Sequence, residues 1–306
     1  MLRWRLLSAF IIVTAMLSLV AMDQRTSNPG IWLAPVLLTL SIMGTEEVLW
    51  LLKSQGNRPV AWPIYLGNFL LSLDGCRTIW MRWIPDSLSL LQVPIKSWIG
   101  KIDAPILLSI CLMLVFVAEM RRYESPGRSI LQVAFACFAL TYVGLSLRMV
   151  ALLRFVGEDA VHGLVALISV LVIVKMSDTG AYFFGRMLGR NKMTPILSPG
   201  KTWEGAVGGL TTACGAGLVY FWWIAPKMIG KTYEAPPVIN LIAYCLALGV
   251  AGMIGDLAES LLKRDMRQKD SSSWLPGLGG ILDIIDSVLL SAPIALLFWN
   301  PGPMHR

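Results

Sequence analysis

The sequence predicts an all-α fold, a polytopic transmembrane helix bundle of about nine spans. Three observations lead there. Only 15% of the 306 residues are charged and 56% are hydrophobic. A soluble domain is about 25% charged, so a water-soluble globule would have nowhere to bury the apolar excess. The apolar residues fall in long runs, and a bilayer core about 30 Å thick needs roughly 20 of them at about 1.5 Å rise each. Lys and Arg gather between the runs, with an excess on the side that holds the N-terminus, the bias that sets topology in a membrane.

The runs lie at 4–22, 32–52, 61–80, 104–120, 129–147, 161–184, 203–225, 238–262 and 281–299. The first follows Arg3 and Arg5, as the apolar part of a signal peptide would. It is long and no A-x-A cleavage site follows, so an uncleaved helix is expected. The third is the weakest, because Asp74 and Arg77 interrupt it. Segment 81–103 reads as an interfacial loop: Trp80, Trp83 and Trp98 suit the headgroup level, where amphipathic rings settle. Two runs separate loop 185–202 from loop 263–280, which places both loops on one side of the membrane. The chain divides by character into N-terminal helices, 1–160, and a catalytic-type region, 161–306, that carries the polar motifs.

Net charge is +7. In a soluble protein that would raise nucleic acid as a partner; here it is read as topology, with attraction for anionic lipid or nucleotide. Cys76, Cys111, Cys137, Cys214 and Cys245 show no metal-ligand spacing, and His162 and His305 stand alone, which argues against a zinc site.

Four polar constellations remain, all in the C-terminal half. In the first, Lys175 and Asp178 share a face near the end of an apolar helix. An intramembrane carboxylate is costly unless paired or hydrated, so this is either a helix-end ion pair or part of a site. The second, Ser198-Pro199-Gly200-Lys201-Thr202-Trp203-Glu204-Gly205, feeds a helix N-terminus. Free N–H groups there favour anions, and Lys201 adds a point charge for phosphate; plain loop-and-cap chemistry is the alternative. The third sets Asp256, Glu259 and Lys263 at i, i+3 and i+7, one polar stripe on an apolar helix. Such a stripe suits a divalent cation, an ion pathway, or pairing with Lys263. The fourth runs from Lys269-Asp270 through Pro276-Gly277-Leu278-Gly279-Gly280 to Asp283 and Asp286. Its glycines let backbone approach a ligand, and its two carboxylates open the last helix. Singly these signals are weak. Together they set several carboxylates beside cations at one membrane level, which implies Mg²⁺ chemistry on a phosphorylated substrate.

The fourth motif, with Ser260, Lys263 and Arg264 ahead of it, resembles the signature of the phosphatidate cytidylyltransferase family, approximately S-x-x-K-R-x4-K-D-x4-hydrophobic-P-G-H-G-G-x-x-D-R-x-D. Ser260, Lys263, Arg264, Lys269, Asp270, Pro276, Gly277, Gly279, Gly280, Asp283 and Asp286 are in register. The segments around Asp178 and from Ser198 to Gly205 are similar to that family as well, so the resemblance is specific over roughly 175–290. It departs at Leu278, where the family has His, and at Ile284, where it has Arg. Those changes remove a titratable donor and a guanidinium able to bind phosphate in a bidentate way.

The resemblance implies conversion of CTP and phosphatidate to CDP-diacylglycerol and pyrophosphate in phospholipid biosynthesis. It makes Asp256, Asp283, Lys263 and Arg264 the catalytic set. Asp256, Asp283 and Asp286 would hold Mg²⁺, with Asp270 and Glu259 as further acidic groups and Asp178 in the same polar cavity. Ser198, Lys201, Lys269, Asp270, Gly279 and Gly280 would bind substrate. The partners implied are CTP, phosphatidate and the surrounding lipid, with a homodimer left open and no nucleic acid. The location implied is the inner (plasma) membrane, multi-pass, with the site facing the cytoplasm. A non-catalytic paralogue, a lipid- or ion-binding membrane protein and a CTP-dependent polyprenol kinase remain as alternatives.

Overall fold

A computed structural model describes residues 2–82, 84, 95–157, 160–230, 233–268, 271–272, 274, 279–300 and 302–304. Lys269, Asp270, Pro276, Gly277, Leu278, Trp83 and His305 lie outside the described residues. Among those described, the fold is all-α apart from one two-stranded hairpin. Seven helices are long and apolar enough to cross a membrane, at 34–54, 104–121, 129–153, 160–188, 203–229, 238–265 and 282–299. The chain is therefore a multi-pass membrane protein. The two remaining runs of the sequence are the first, which coincides with helix α1 (Leu2–Arg25), and the third. The third yields α3 (Ala61–Gly75), only 15 residues, which is about 22 Å of helix and short of a bilayer core.

The chain folds as two compact units, Met1–Ala151 and Leu152–Arg306. In the first, α1 is followed by α2 (Ala34–Ser54), α3, the short α4 (Arg77–Trp80) and α5 (Ile95–Gly100), then α6 (Ala104–Arg121) and α7 (Ser129–Ala139). A π-helical turn, Leu140–Leu145, carries α7 into α8 (Ser146–Leu153). Helices α2 and α3 are antiparallel: Asn68 Nδ2 donates to Thr45 Oγ1 at 2.7 Å and the Tyr65 hydroxyl donates to Glu46. The end of α3 has a clear cause. Asp74, only 6% exposed, lies 2.5 Å from Arg77 Nη2 and 2.6 Å from Arg148 Nε. A buried carboxylate persists only when paired in this way. Gly75 lets α8 approach, because a Cβ there would lie 2.9 Å from the Arg148 carbonyl.

The second unit is built from α9 (Ala160–Leu188), a hairpin of β1 (Lys192–Thr194) and β2 (Ser198–Thr202), α10 (Trp203–Val219), α11 (Ala225–Ile229), α12 (Val238–Asp265) and α13 (Leu282–Trp299). A second π-helical turn, Tyr220–Ile224, joins α10 to α11. Glycines set its close contacts. A Cβ at Gly205 or Gly209 would lie 2.8 Å from the Ala181 carbonyl or 2.9 Å from the Ser177 carbonyl, so α10 packs on α9 almost backbone to backbone, as small residues allow in membranes. A Cβ at Gly255 would lie 2.5 Å from the Asp286 carbonyl, which brings α12 and α13 equally close. At the far end of these helices, Tyr244 anchors an apolar core through its hydroxyl, bonded to Ser169 at 2.8 Å and to Trp299 Nε1 at 3.1 Å. At the near end, the close of α9, the start of α10, the close of α12 and the start of α13 bring the polar motifs together.

Candidate active site

The third motif lies on α12 and the end of the fourth on α13, and the Gly255 contact fixes their register. Oxygen atoms of Asp256, Glu259 and Asp286 all come within 4.8 Å of one another. Glu259 is 2% exposed and Asp286 4%, so these are desolvated carboxylates held side by side. Glu259 Oε2 accepts from Lys263 Nζ at 2.7 Å, whereas its Oε1 is buried with no hydrogen-bond partner. A buried, unsatisfied carboxylate oxygen is costly. Two neighbouring carboxylates beside it make a cation the fitting partner. Helix α9 adds Asp178, whose Oδ2 accepts from Ser287 Oγ at 3.2 Å, while the same hydroxyl bonds Asp286 Oδ1 at 3.0 Å.

Lysines answer part of this charge. Lys175 Nζ lies 3.5 Å from Asp178, Lys201 Nζ 2.6 Å from Asp256, and Lys263 Nζ 2.5 Å from Asp283. Five carboxylates (178, 256, 259, 283, 286) against three ammonium groups (175, 201, 263) leave a formal charge of −2 among these described groups, the charge of one divalent cation reversed. The donor set, oxygen only, suits a hard divalent ion.

Asp283 occupies a different position in the site. Its Oδ2 accepts from Ser271 N at 3.1 Å, Ser271 Oγ at 2.8 Å and Gly280 N at 2.7 Å, and its Oδ1 receives Lys263. It therefore pins the loop before α13 to α12, with Gly279 taking the left-handed turn at φ +90°. The second motif is a strand where a loop was expected. Lys192 pairs with Thr202 and Thr194 with Ser198 across the hairpin. Thr202 caps α10, accepting from Gly205 N at 3.1 Å, so the segment carries cap chemistry as well. Glu204 closes the hairpin base by accepting from Asn191 Nδ2 at 2.7 Å and from the Arg190 and Asn191 backbone. The hairpin meets α12 through Lys201 and through Arg264, which donates to the Leu197 carbonyl at 3.5 Å. Loop 185–202 and the end of α12 thus share one end of the unit.

This arrangement of acidic helices and a basic hairpin belongs to a chain whose residues 3–300 match the model of the cytidylyltransferase family. The chain belongs to that family. A phosphatidate cytidylyltransferase of Haemophilus influenzae is 30% identical over 306 residues, covering 98% of this chain and 99% of the relative. One of Bacillus subtilis is 31% identical over 259 residues, covering 85% and 86%. One of Brucella suis is 37% identical over 159 residues, covering 52% and 54%.

Of the site residues expected in this family member, the structure brings Asp178, Lys201, Asp256, Lys263, Asp283 and Asp286 into one polar cluster. Ser198 and Arg264 stand at its hairpin edge, and Gly279 and Gly280 in the loop entering α13. Lys269 and Asp270 are outside the described residues. Glu259, expected as a further acidic group, converges with Asp256 and Asp286, and its i, i+3 spacing from Asp256 is the sequence signal for that. Ser287 and Ser271 carry no such signal, because their contacts to Asp178 and Asp283 are long-range and leave no local pattern.

Proposed function

We propose that this chain is a phosphatidate cytidylyltransferase, joining the cytidylyl group of CTP to phosphatidate to give CDP-diacylglycerol and pyrophosphate. The observation that carries the reading is the convergence of Asp256, Glu259 and Asp286 with one buried, unpartnered oxygen, at the end of membrane helices and inside the family match. The reaction joins two anions. The lipid phosphate is already ionised near neutral pH, its second pKa being about 6 by analogy with phosphoserine, so charge neutralisation outweighs base catalysis. Mg²⁺ bound by Asp256, Glu259 and Asp286 would supply positive charge to the triphosphate.

The protein's own groups do the rest. Asp178 and Ser287 hold Asp286 in place, and Asp283 fixes Lys263 and the glycine loop. Lys201, Lys263 and Arg264 offer positive charge to the phosphates; Lys269 and Asp270, which the resemblance assigns to substrate binding, lie outside the described residues. Ser198, Gly279 and Gly280 shape the nucleotide or headgroup pocket. A site at a membrane end admits CTP from water while the acyl chains stay in lipid. The excess of Lys and Arg on the N-terminal side supports an inner-membrane protein with this end in the cytoplasm. Ile284 stands on α13 between Asp283 and Ile285, where the family's guanidinium is replaced by an alkyl chain; with Leu278 it lowers the positive charge available to phosphate.

Purified protein in nanodiscs, given phosphatidate, Mg²⁺ and CTP labelled at the α-phosphorus, should transfer label to lipid and release pyrophosphate. Label in lipid from γ-labelled CTP, with CDP released, would instead identify a lipid kinase.

A further inference from the structure

Lys201 is the cation that Asp256 holds in the structure, and Asp256 is one of the three carboxylates that converge on the unpartnered Glu259 oxygen. The contact is 2.6 Å, with the Lys201 side chain 20% exposed. A divalent ion bound by Asp256 at about 2.1 Å would compete for the same lone pairs and repel the ammonium.

The surroundings decide what gives way. The backbone beside Lys201 is held: Thr202 caps α10, Lys192 pairs across the hairpin, and Glu204 ties the base to Arg190 and Asn191. The lysine stem is flexible, with four carbons, and this one reaches from a surface strand. Lys263 is different. It is gripped by Glu259 and Asp283 together, at 2.7 and 2.5 Å, and has no single bond whose loss would free it.

We propose that Lys201 is a placeholder cation: it neutralises Asp256 until a divalent ion binds, and is then released into the cleft as a phosphate-binding group. The proposal rests on the reading of Asp256, Glu259 and Asp286 as a metal site. Its consequence is an order of events. The ammonium becomes available to the triphosphate only when the metal is in place, so nucleotide without metal meets a latched lysine.

The reactivity of the Lys201 amine tests this without any turnover. Protein in nanodiscs is stripped with EDTA and pulsed with an acetylating ester, with and without Mg²⁺; mass spectrometry compares Lys201 with Lys263 in the same sample. Metal occupancy is followed separately by Mn²⁺ titration with magnetic resonance detection. Mg²⁺ is expected to raise Lys201 labelling about fivefold relative to Lys263, as loss of a partly exposed ion pair implies. Asp256→Asn should label at the high rate with or without metal, and Lys201→Gln should bind Mn²⁺ about fivefold tighter. Unchanged or slower Lys201 labelling while Mn²⁺ binds the wild type overturns the placeholder role. Undiminished Mn²⁺ binding in Asp286→Asn removes the metal site itself, and the placeholder with it.

Discussion

Gly255 carries no chemistry, yet its substitution should disable the site. The Cβ of Gly255→Ala would lie 2.5 Å from the Asp286 carbonyl and 2.9 Å from Ser287 Cα, both backbone atoms, where an ordinary contact begins at 3.4 Å. Backbone cannot rotate aside, so α12 and α13 must separate by roughly 0.9 Å, the shortfall at the carbonyl. Asp256 rides on one helix and Asp286 on the other, and their oxygens with that of Glu259 now lie within 4.8 Å. A misplacement near 1 Å costs about 10²-fold in rate when a reaction depends on position, and overpacking costs about 1–3 kcal/mol in stability. Transfer from α-labelled CTP to phosphatidate reads the first and thermal unfolding in detergent the second. Wild-type turnover and Mn²⁺ affinity in a folded Gly255→Ala protein would refute the dependence of the site on this close contact. A variant that loses Mn²⁺ affinity while its unfolding temperature falls only modestly supports it.

Other substitutions separate the roles of the acidic groups. Asp74→Asn leaves Arg77 and Arg148 facing a neutral amide, and removing one partner of a buried ion pair costs about 3–5 kcal/mol, so its unfolding temperature should fall sharply. Asp283→Asn should loosen the glycine loop and Lys263, cutting turnover while Mn²⁺ affinity changes little; an equal loss of both would return Asp283 to the metal's ligand set. The double variant Leu278→His/Ile284→Arg restores the family's polar pair; turnover above wild type would show that these departures limit this enzyme, and equal turnover that neither position is needed.

Much of this was visible in the sequence because burial in lipid leaves long apolar runs, and because carboxylates inside such runs need a reason. The stripe of Asp256, Glu259 and Lys263 and the glycine loop ahead of Asp283 were read directly. The Thr202 cap, a local event between residues three apart, falls within the loop-and-cap alternative for that segment. What could not be read was long-range. The pairing of Asp74 with Arg148 joins residues 74 apart, and without it the third run looked like an imperfect span rather than a helix that ends on an ion pair. The hairpin from Lys192 to Thr202 carries Pro199 and Gly200, which weaken any strand signal, and its strands are only 3 and 5 residues long. The division of labour between Asp283 and Glu259 followed from the same limit. Both are acidic and both face the site, but Ser271 and Gly280 engage one and leave an oxygen of the other bare.

The most direct measurement is label transfer from α-labelled CTP to phosphatidate in nanodiscs, titrated with Mg²⁺ from an EDTA-stripped start, for wild type and Asp286→Asn side by side. Labelled CDP-diacylglycerol should appear with saturating dependence on Mg²⁺ and fall by about 10²–10³-fold in the variant, the scale for removing one transition-state charge contact. Transfer that proceeds without a divalent ion, or at the wild-type rate in Asp286→Asn, would contradict a cation held by Asp256, Glu259 and Asp286.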